Sequence, residues 1–417
     1  MENNKTPSIR FKGFTDPWEQ RKLLSCIEKI TDFRGRTPKK LGMDWSESGY
    51  LALSALNVKD GYIDFSQDVH YGEQALYDKW MSGNELHKGQ VLFTTEAPMG
   101  NVAQVPDNKR YILSQRTIAF DVKEDIITEN FLATLLRSPA VFNTLTSLSS
   151  GGTAKGVSQK SLAGVDIQIP VELREQELLA TYFANLDNLI TLHQRKYNKL
   201  LNVKKSMLEK MFPKNGSNIP EIRFKGFTDP WEQRKLGELA DIVGGGTPST
   251  GVSDYWDGDI DWYAPAEIAE QIYLTSSQRK ITEEGYNHSS AKMLPVGTVL
   301  FTSRAGIGKT AILTQKGCTN QGFQSIVPHK IELDSYFIFS RTEELKQYGE
   351  TVGAGSTFVE VSGKQMANME LMMPKTMAEQ KTIGQYFASL DNLITLHQRE
   401  LEKLQNIKKS MLEKMFV

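Results

Sequence analysis

The feature that most constrains this chain is an internal repeat. The segment RFKGFTDPWEQRKL occupies residues 10–23 and returns unaltered at residues 223–236. Two further segments recur in the same order: LDNLITLHQR at 186–195 and 390–399, and KKSMLEKMF at 204–212 and 408–416. Ordered repeats of this kind predict two copies of one structural plan on a single polypeptide. We therefore expect two similar halves whose ends are nearly identical.

The segments between these repeats have diverged. VLFTTEAPMG at 91–100 faces VLFTSRAGIG at 299–308, and few other matches are as clear. Short β-like runs such as VLFT alternate with short helical patterns and with loops rich in Gly, Pro and Ser, of which GGGTPST is one. Each interior is therefore predicted to be a mixed α/β (α+β) domain.

The end of each copy has the pattern of a long helix. The first copy has neither Gly nor Pro from 171 to 212, and apolar residues return at alternating steps of four and three. This spacing is typical of a coiled-coil seam, and two like helices on one chain pair most easily antiparallel. A helix of about 40 residues is roughly 60 Å long. The predicted boundaries are a first domain at 1–170, a first helix at 171–213, a linker at 214–220, a second domain at 221–374 and a second helix at 375–417.

Composition limits the classes of function. The chain of 417 residues has 49 Lys plus Arg against 50 Asp plus Glu, so nucleic-acid binding must come from local patches or from a partner. It has no segment approaching the roughly 20 apolar residues of a membrane span and no targeting pattern at its start, which predicts a cytoplasmic protein. Cys26 and Cys318 are too few for a disulfide framework, and the histidines form no ligand pairs, so no metal site is predicted.

These segments together carry a family likeness. The string IRFKGFTDPWEQRKLGEL at 222–239, the EQ pairs at 175–176 and 379–380, and the repeated LDNLITLHQR and KKSMLEKMF resemble the specificity subunit of type I restriction-modification systems. The resemblance extends over nearly all of the chain. It implies a DNA-recognition subunit with two target-recognition domains separated by two long helices. Each domain reads one half of a split DNA site, and the helices set the number of unread bases between the halves.

The resemblance also implies partners. Family members bind two methyltransferase (modification) subunits, and two ATP-dependent restriction subunits, which carry translocase and nuclease activity, complete the complex. Chemistry then resides in those partners, so this chain is expected to be non-catalytic, with no catalytic residue and no cofactor of its own. S-adenosylmethionine, ATP and Mg²⁺ are expected in the partner subunits.

Three polar places recur in both interiors and are the predicted contacts with double-stranded DNA. Arg, Lys, Asn and Gln suit base edges in the major groove, while Ser and Thr suit phosphates. In the first copy the candidates are Arg34, Arg36, Thr37, Lys39, Lys40, Thr94, Thr95, Gln115 and Arg116. In the second copy they are Thr247, Ser249, Thr250, Ser303, Arg304, Lys309, Asn320 and Gln321.

One alternative reading belongs to a different class. SRAGIGKT at 303–310 differs by one letter from the phosphate-binding pattern GxxxxGK[ST]. Pro106-Asp107 followed by Asp121-Val122-Lys123 formally matches the PD…DxK pattern of metal-dependent nucleases. A stand-alone nuclease or NTPase built on a duplicated α/β domain therefore stays open from the sequence. The first copy lacks an equivalent of the phosphate-loop string, and the second copy lacks an equivalent of the nuclease-like string.

Overall fold

The chain divides into two compact units that follow the repeat. The computed structural model describes residues 6–149, 156–214, 216–269, 271–304, 306–353 and 360–417. Unit 1 consists of residues 1–194 together with 399–417, and unit 2 consists of residues 195–398. Each unit therefore combines one divergent interior with helical segments from both copies of the repeat.

Unit 1 is a mixed α/β domain. Its strands are β1 (Glu19–Lys22), β2 (Ile27–Asp32), β3 (Tyr50–Leu53), β4 (Tyr71–Gly72), β5 (Val91–Thr94), β6 (Val102–Gln104), β7 (Ile112–Leu113), β8 (Thr117–Val122) and β9 (Asp166–Ile169). Its short helices are α1 (Gln74–Met81), α2 (Glu129–Leu136), α3 (Pro139–Leu148) and α4 (Gln159–Gly164), and α5 (Leu173–Lys210) follows.

The described residues of unit 1 form three sheets. The largest has the order β2-β8-β5-β6 with antiparallel neighbours. A smaller sheet has the order β4-β3-β7, in which β3 and β7 run parallel, so that their carboxyl ends leave the sheet at the same edge. β1 pairs antiparallel with β9 as a separate ribbon. The strands of the largest sheet carry buried runs such as VLFT, in keeping with helices packed against them.

Unit 2 repeats this plan. Its strands are β10 (Glu232–Lys235), β11 (Ala240–Gly244), β12 (Trp256–Tyr263), β13 (Tyr273–Leu274), β14 (Arg279–Ile281), β15 (Val299–Phe301), β16 (Thr310–Leu313), β17 (Cys318–Thr319), β18 (Gln324–Pro328) and β19 (Glu370–Met373). Its helices are α6 (Leu236–Leu239), α7 (Glu283–Asn287), α8 (Ser335–Ser340), α9 (Thr342–Gly353) and α10 (Gly363–Ala367), and α11 (Met377–Lys414) closes the chain.

The sheets of unit 2 match those of unit 1 in topology. The order β11-β18-β15-β16-β13 corresponds to the largest sheet of unit 1, with β13 added parallel to β16. The order β14-β12-β17 again places two parallel strands, β12 and β17, side by side. β10 pairs with β19 as β1 pairs with β9. The prediction of two α/β domains is therefore confirmed.

The two predicted long helices are also present. α5 and α11 each contain 38 residues, and α5 ends shortly before Pro213, whose ring cannot continue the helix. Residues 173–194 of α5 and 399–414 of α11 belong to unit 1, while the remainders of both helices belong to unit 2. Coiled-coil pairing along their full lengths stays a prediction.

Within each unit the helical segments run antiparallel. In unit 1, Phe183 meets Phe416 at a ring-centroid distance of 5.7 Å, whereas Asp187 meets Lys408 at 2.7 Å. The residue numbers of the contacts on α11 fall as those on α5 rise, so the two helical segments run antiparallel. Unit 2 shows the same relation, since Phe387 meets Phe212 at 6.0 Å and Asp391 meets Lys204 at 2.5 Å.

Each core is completed by the end of the helix that follows the other domain. Phe416 of unit 1 lies 6.0 Å from both Trp18 and Phe131, ring centroid to ring centroid. In unit 2 the Phe212 ring lies 6.0 Å from Trp231 and 5.7 Å from Phe337. The repeated KKSMLEKMF segments thus place an equivalent phenylalanine, Phe416 or Phe212, in the core of each unit. We call these two side chains the aromatic plugs.

The repeated N-terminal segment is fixed by a buried carboxylate. In unit 1, Glu175 accepts hydrogen bonds from Nε of Arg10 at 2.6 Å, from its Nη2 at 2.7 Å and from the indole of Trp18 at 3.4 Å. In unit 2, Glu379 accepts from Arg223 at 2.7 and 2.8 Å and from Trp231 at 3.2 Å. Arg10 and Trp18 of unit 1, and Arg223 and Trp231 of unit 2, thus hold each repeated N-terminal segment on the long helix of its unit.

No helix within the described residues is long and apolar enough to span a lipid bilayer.

Candidate nucleic-acid interface

The three polar places predicted from the sequence meet at one end of unit 1. We call residues 32–40 its first loop, 94–101 its second loop and 114–116 its third loop. The side-chain amide of Gln115 donates to the backbone carbonyl of Arg36, which ties the third loop to the first. The backbone N–H of Thr95 donates to the carbonyl of Arg116 at 2.8 Å, which ties the second loop to the third. The bond between Gln115 and Arg36 joins residues that are 79 positions apart in the sequence.

The exposed side chains of this end are mainly basic. Arg34, Lys39, Lys40 and Arg116 are all exposed. The Arg34 guanidinium donates to Asp32 at 2.9 Å, and Arg116 forms an ion pair with Glu96 at 3.1 Å. Exposed pairs of this type contribute little to stability and are readily exchanged for other anions. Their guanidinium and ammonium groups are therefore available to phosphates or base edges.

Arg36 has a different role from Arg34. Its guanidinium lies 4.3 Å from the centroid of the Phe33 ring and donates to the carbonyl of Trp80 at the end of α1. Thr37 is half-buried, and its hydroxyl accepts from the N–H of Lys40 at 3.3 Å. These contacts brace the first loop from inside, so its outward charges are those of Arg34, Lys39 and Lys40.

The second loops carry a correction to the predicted contact set. Thr94, Thr95 and Ser303 have 0%, 1% and 0% of their surfaces exposed. The Thr94 hydroxyl accepts from the N–H of Asn101 at 2.9 Å, and the Thr95 hydroxyl donates to the Arg116 carbonyl at 3.2 Å. These hydroxyls hold the turn rather than face solvent. Burial removes all three from the side chains that a ligand on the surface can reach.

The three places of unit 2 converge in the same manner. Residues 244–250 form its first loop, 302–309 apart from 305 its second loop, and 320–322 its third loop. The Thr247 hydroxyl donates to Oε1 of Gln321, and the N–H of Ser303 donates to the carbonyl of Gly322 at 2.8 Å. The third loop is itself shaped by Asn320, whose Oδ1 accepts from the N–H of Gly322 at 2.8 Å.

The unit 2 face differs in chemistry from the unit 1 face. Ser249, Thr250, Lys309 and Gln321 are exposed, whereas Thr247, Arg304 and Asn320 are half-buried. Its first loop has no charged side chain, in contrast to the basic first loop of unit 1.

One position even reverses its charge between the units. Thr302 accepts from the N–H of Lys309 at 3.0 Å, as Thr94 accepts from Asn101, so the two second loops superpose in register. Glu96 therefore occupies the position of Arg304. Isolated bridges agree with this register, because Glu96 pairs with Gly156 and Arg304 pairs with Glu360.

The third loops align one residue away from the alignment read in the sequence. The sequence set Gln115-Arg116 against Asn320-Gln321. The structure instead matches Arg116 with Gly322, because the carbonyls of these two residues accept the equivalent bonds from Thr95 and Ser303. Gln115 and Gln321 are consequently equivalent, and each is bonded to the first loop of its unit.

A fourth loop was missed by sequence reasoning. This loop is formed by residues 54–57 of unit 1, which follow β3, and by residues 264–267 of unit 2, which follow β12. It lies beside the third loop in each unit. The N–H of Ser114 donates to the Leu53 carbonyl at 3.0 Å, and the N–H of Asn320 donates to the Tyr263 carbonyl at 3.0 Å. The pairing of parallel strands such as β3 and β7 joins segments distant in sequence, so no local sequence pattern predicts this loop.

The phosphate-loop alternative has the wrong local structure. β15 and β16 pair antiparallel, with Phe301 opposite Thr310, so residues 302–309 connect the two strands of a hairpin. A phosphate-binding loop instead leads from a strand into a helix whose N-terminus faces the anion. The geometry at Lys309 therefore does not favour nucleotide binding.

The acidic nuclease-like string is likewise divided between separate environments. Asp107 accepts from the N–H of Lys109 at 2.9 Å and from the hydroxyl of Tyr111 at 3.0 Å, and the backbone bond from Lys109 lowers the pKa of Asp107. Asp121 instead accepts from the amide of Gln90. Within the described part of the chain, no group of three or more His, Cys, Asp or Glu side chains is placed to hold a metal ion.

One scaffold repeated on a single chain, with unlike polar loops gathered on each copy, defines a binding protein with two different recognition faces. Comparison with known proteins identifies the family to which this architecture belongs. The family described as "Type I restriction modification DNA specificity domain" matches residues 16–202 and 228–406. The chain belongs to this family.

Individual relatives agree with that assignment. The MjaIX type I restriction enzyme specificity subunit of Methanocaldococcus jannaschii is 34% identical over 192 residues, which are 45% of this chain and 44% of that protein. The MjaVIII specificity subunit of the same organism is 24% identical over 413 residues, 95% of this chain and 91% of that protein. The crystal structure of a type I restriction-modification S subunit from M. genitalium shares the fold, with a TM-score of 0.64, 14% identity and 99% coverage of both chains.

Proposed function

We propose that this chain is the DNA specificity subunit of a type I restriction-modification complex, in which each unit reads one half of a two-part site. A single observation carries the proposal. The scaffold contacts of Glu175 and Glu379 are the same in both units, whereas the loops gathered at the equivalent end differ in charge and size. A conserved frame with two different faces is what reading two different half-sites requires.

The unit 1 face is suited to a duplex with strong electrostatic contact. Arg34, Lys39 and Lys40 of the first loop and Arg116 of the third loop provide exposed cations. Lysine and arginine neutralise phosphates, and arginine also pairs bidentately with guanine in the major groove. Contacts to phosphate position the protein, while the guanidinium groups are the candidates for base reading.

The unit 2 face favours reading by neutral polar groups. Gln321 is exposed, and its Oε1 accepts a hydrogen bond from Thr247, which restricts the rotation of the amide. A glutamine or asparagine amide pairs bidentately with adenine in the major groove. Ser249 and Thr250 of the first loop supply hydroxyls for phosphates, and Arg304 and Lys309 of the second loop supply cations.

Partner binding is proposed at the repeated helical segments. The identical LDNLITLHQR segments expose matching leucines, with 43% and 46% of Leu189 and Leu192 exposed in unit 1 and 44% and 52% of Leu393 and Leu396 in unit 2. Equal patches on one chain fit two copies of one partner. We assign them to two methyltransferase subunits, with two restriction subunits completing the complex.

Catalysis is proposed to lie outside this chain. S-adenosylmethionine, ATP and Mg²⁺ are assigned to the partner subunits, and this chain recognises the target sequence on the DNA. The long helices are proposed to set the number of unread base pairs between the two half-sites, because their length changes in steps of about 1.5 Å per residue.

The test is a comparison of DNA methylation in the host with and without this chain. The expected result is one bipartite methylated sequence that disappears when the chain is absent and returns when it is restored. Exchanging the first loop of unit 1 for that of unit 2 should alter one half of the sequence and leave the other half unchanged. An unchanged methylation pattern after deletion of the chain would contradict the proposal.

A further inference from the structure

The fourth loop of unit 1 is held in place from both sides. The N–H of Ser114 in the third loop donates to the Leu53 carbonyl at 3.0 Å, just before the fourth loop begins. The amide of Asn101 in the second loop donates to the Val58 carbonyl at 2.9 Å, just after it ends. Residues 54–57 therefore lie between two of the loops that form the proposed DNA face.

A buried asparagine makes this loop rigid. Asn57 has 0% of its surface exposed, and its Oδ1 accepts from the N–H of Ser54 at 2.8 Å and from the Ser54 hydroxyl at 3.0 Å. Its Nδ2 donates to the carbonyl of Asp64 at 3.2 Å and to that of Gln67. With its amide oxygen and nitrogen both engaged, Asn57 fixes the turn and the direction of its tip.

The tip of this turn is an apolar side chain that points to solvent. Leu56 is 48% exposed, whereas its neighbours Ala55 and Asn57 are buried. Scattered exposed leucines are common on protein surfaces. Leu56 differs because the turn is braced and because the surrounding loops present polar and charged groups. An apolar group so placed matches one feature of the major groove, the C5-methyl group of thymine.

Unit 2 builds the same turn with a smaller tip. Glu267 takes the part of Asn57, since its Oε1 accepts from the N–H of Ala264 at 2.8 Å and its Oε2 accepts from the N–H of Gln278 at 2.6 Å. The residue equivalent to Leu56 is Ala266. The brace is thus retained while the tip changes, as expected for a position that selects sequence rather than supports the fold.

We infer that Leu56 reads a thymine in the half-site of unit 1 through contact with its C5-methyl group. This inference rests on the proposed function, because it assigns a base to a residue of the DNA face. It adds a specificity-determining residue that lies outside the three places predicted from the sequence.

The experiment combines a change in the protein with removal of the methyl group from the DNA. The complex of the full chain with its partner subunits is prepared with wild-type chain, with Leu56→Ala and with Leu178→Ala, a control residue on α5 that is 39% exposed. Duplexes carry the methylated sequence found in the host, with each thymine of the unit 1 half-site replaced in turn by deoxyuridine. Dissociation constants are measured for every pair.

Wild-type chain and Leu178→Ala should both lose about fourfold in affinity at one thymine position, which is the worth of one buried methyl-sized group. Leu56→Ala should bind the thymine duplex about fourfold more weakly than wild type and should show no further loss with deoxyuridine at that position. The same deoxyuridine penalty in Leu56→Ala as in wild type, or a unit 1 half-site without thymine on either strand, would overturn the inference. Those outcomes leave sequence-specific binding intact, whereas absence of any sequence preference in the wild-type complex would reject the proposed function itself.

Discussion

Arg34 and Arg36 stand two positions apart in one loop, yet the structure separates their roles. Arg34 is exposed and forms an ion pair with the neighbouring Asp32, whereas Arg36 stacks on Phe33 and donates to the Trp80 carbonyl. The sequence places both in a basic loop and treats them alike. At the level of single residues, burial decides which charge a ligand can meet.

Arg34→Ala and Arg36→Ala should therefore fail in different ways. Arg34→Ala is expected to weaken binding to the cognate duplex by about tenfold with no change in the thermal unfolding midpoint. Arg36→Ala is expected to lower the free energy of unfolding by about 1–3 kcal/mol, because a carbonyl in the interior loses its donor. Binding titrations and thermal unfolding of the same preparations compare the two. Equal affinity of Arg34→Ala and wild type would remove Arg34 from the DNA face.

Asp187 gives unit 1 a predictable response to acid. Burial disfavours its charge, but the charges and hydrogen bonds of Arg137 at 2.8 Å and Lys408 at 2.7 Å outweigh that effect and lower the pKa of Asp187. A lowered pKa in the folded state means that the stabilisation is complete above the unfolded value of about 3.9 and is lost as the pH falls below it.

Asp187→Asn should reduce the free energy of unfolding by about 1–3 kcal/mol at pH 7, and the difference from wild type should shrink below about pH 4. Denaturant titrations at pH 7, 5 and 3.5 measure it. Asp166→Asn serves as the control, because its pair with Lys22 is exposed to solvent and is expected to contribute little to stability. A constant difference across this pH range would show that the charge of Asp187 is not the cause.

At the scale of secondary-structure elements, the ends of the two long helices have equivalent packing roles. The last turn of α11 delivers Phe416 to the core of unit 1, and the last turn of α5 delivers Phe212 to the core of unit 2. Each plug must fit a pocket formed by a tryptophan and two phenylalanines. A change in either repeat would have to be matched by changes in a pocket encoded far away in sequence.

Phe416→Ala and Phe212→Ala form a matched pair at this scale. Each should cost its own unit about 3–5 kcal/mol, the usual range for removing a buried aromatic ring. Hydrogen exchange followed by mass spectrometry should show faster exchange in residues 127–136 for Phe416→Ala and in residues 333–340 for Phe212→Ala. Faster exchange at 333–340 in the Phe416→Ala variant, with 127–136 unaffected, would contradict the assignment of the plugs.

At the scale of the whole molecule, the proposed gap between half-sites depends on helix length. Seven residues inserted in both helices, after Gln194 and after Gln398, fall where the chain passes from one unit to the other. An added length of about 10 Å corresponds to roughly three base pairs. The methylated sequence is expected to keep both half-sites and to gain about three unread base pairs. An unchanged gap in the methylation map would reject this role, and insertion in one helix alone should abolish methylation.

The near-balance of charge over the whole chain leads to a prediction about partners. With a net charge of −1, the chain alone has little general attraction for phosphates. Specific binding at physiological salt should be weak for the isolated chain and should strengthen by at least about tenfold with the methyltransferase subunits present. Titrations at several salt concentrations measure both states, and equal affinity in the two would contradict the prediction.

Much of this architecture was readable from the sequence because repetition and periodicity are local properties. Identical segments predicted two units, and the return of apolar residues at helical spacing predicted α5 and α11. The three polar places stand directly beside strand-like runs and come together in each unit, and their contact with DNA stays a prediction. Their side chains were judged less well, because Thr94, Thr95 and Ser303 are polar by type but buried by position.

The sequence by itself determined that one frame is used twice, where the long helices lie and which segments differ between the copies. Tertiary structure alone decided which residues face outward and how the loops align. Tertiary contacts bring residues 36 and 115 together, and they align the third loops of the two units one residue away from the sequence alignment. The parallel pairing of β3 with β7 places the loop that carries Leu56 beside the third loop. Such contacts join residues distant along the chain, and their geometry follows from packing in three dimensions rather than from any neighbouring pattern.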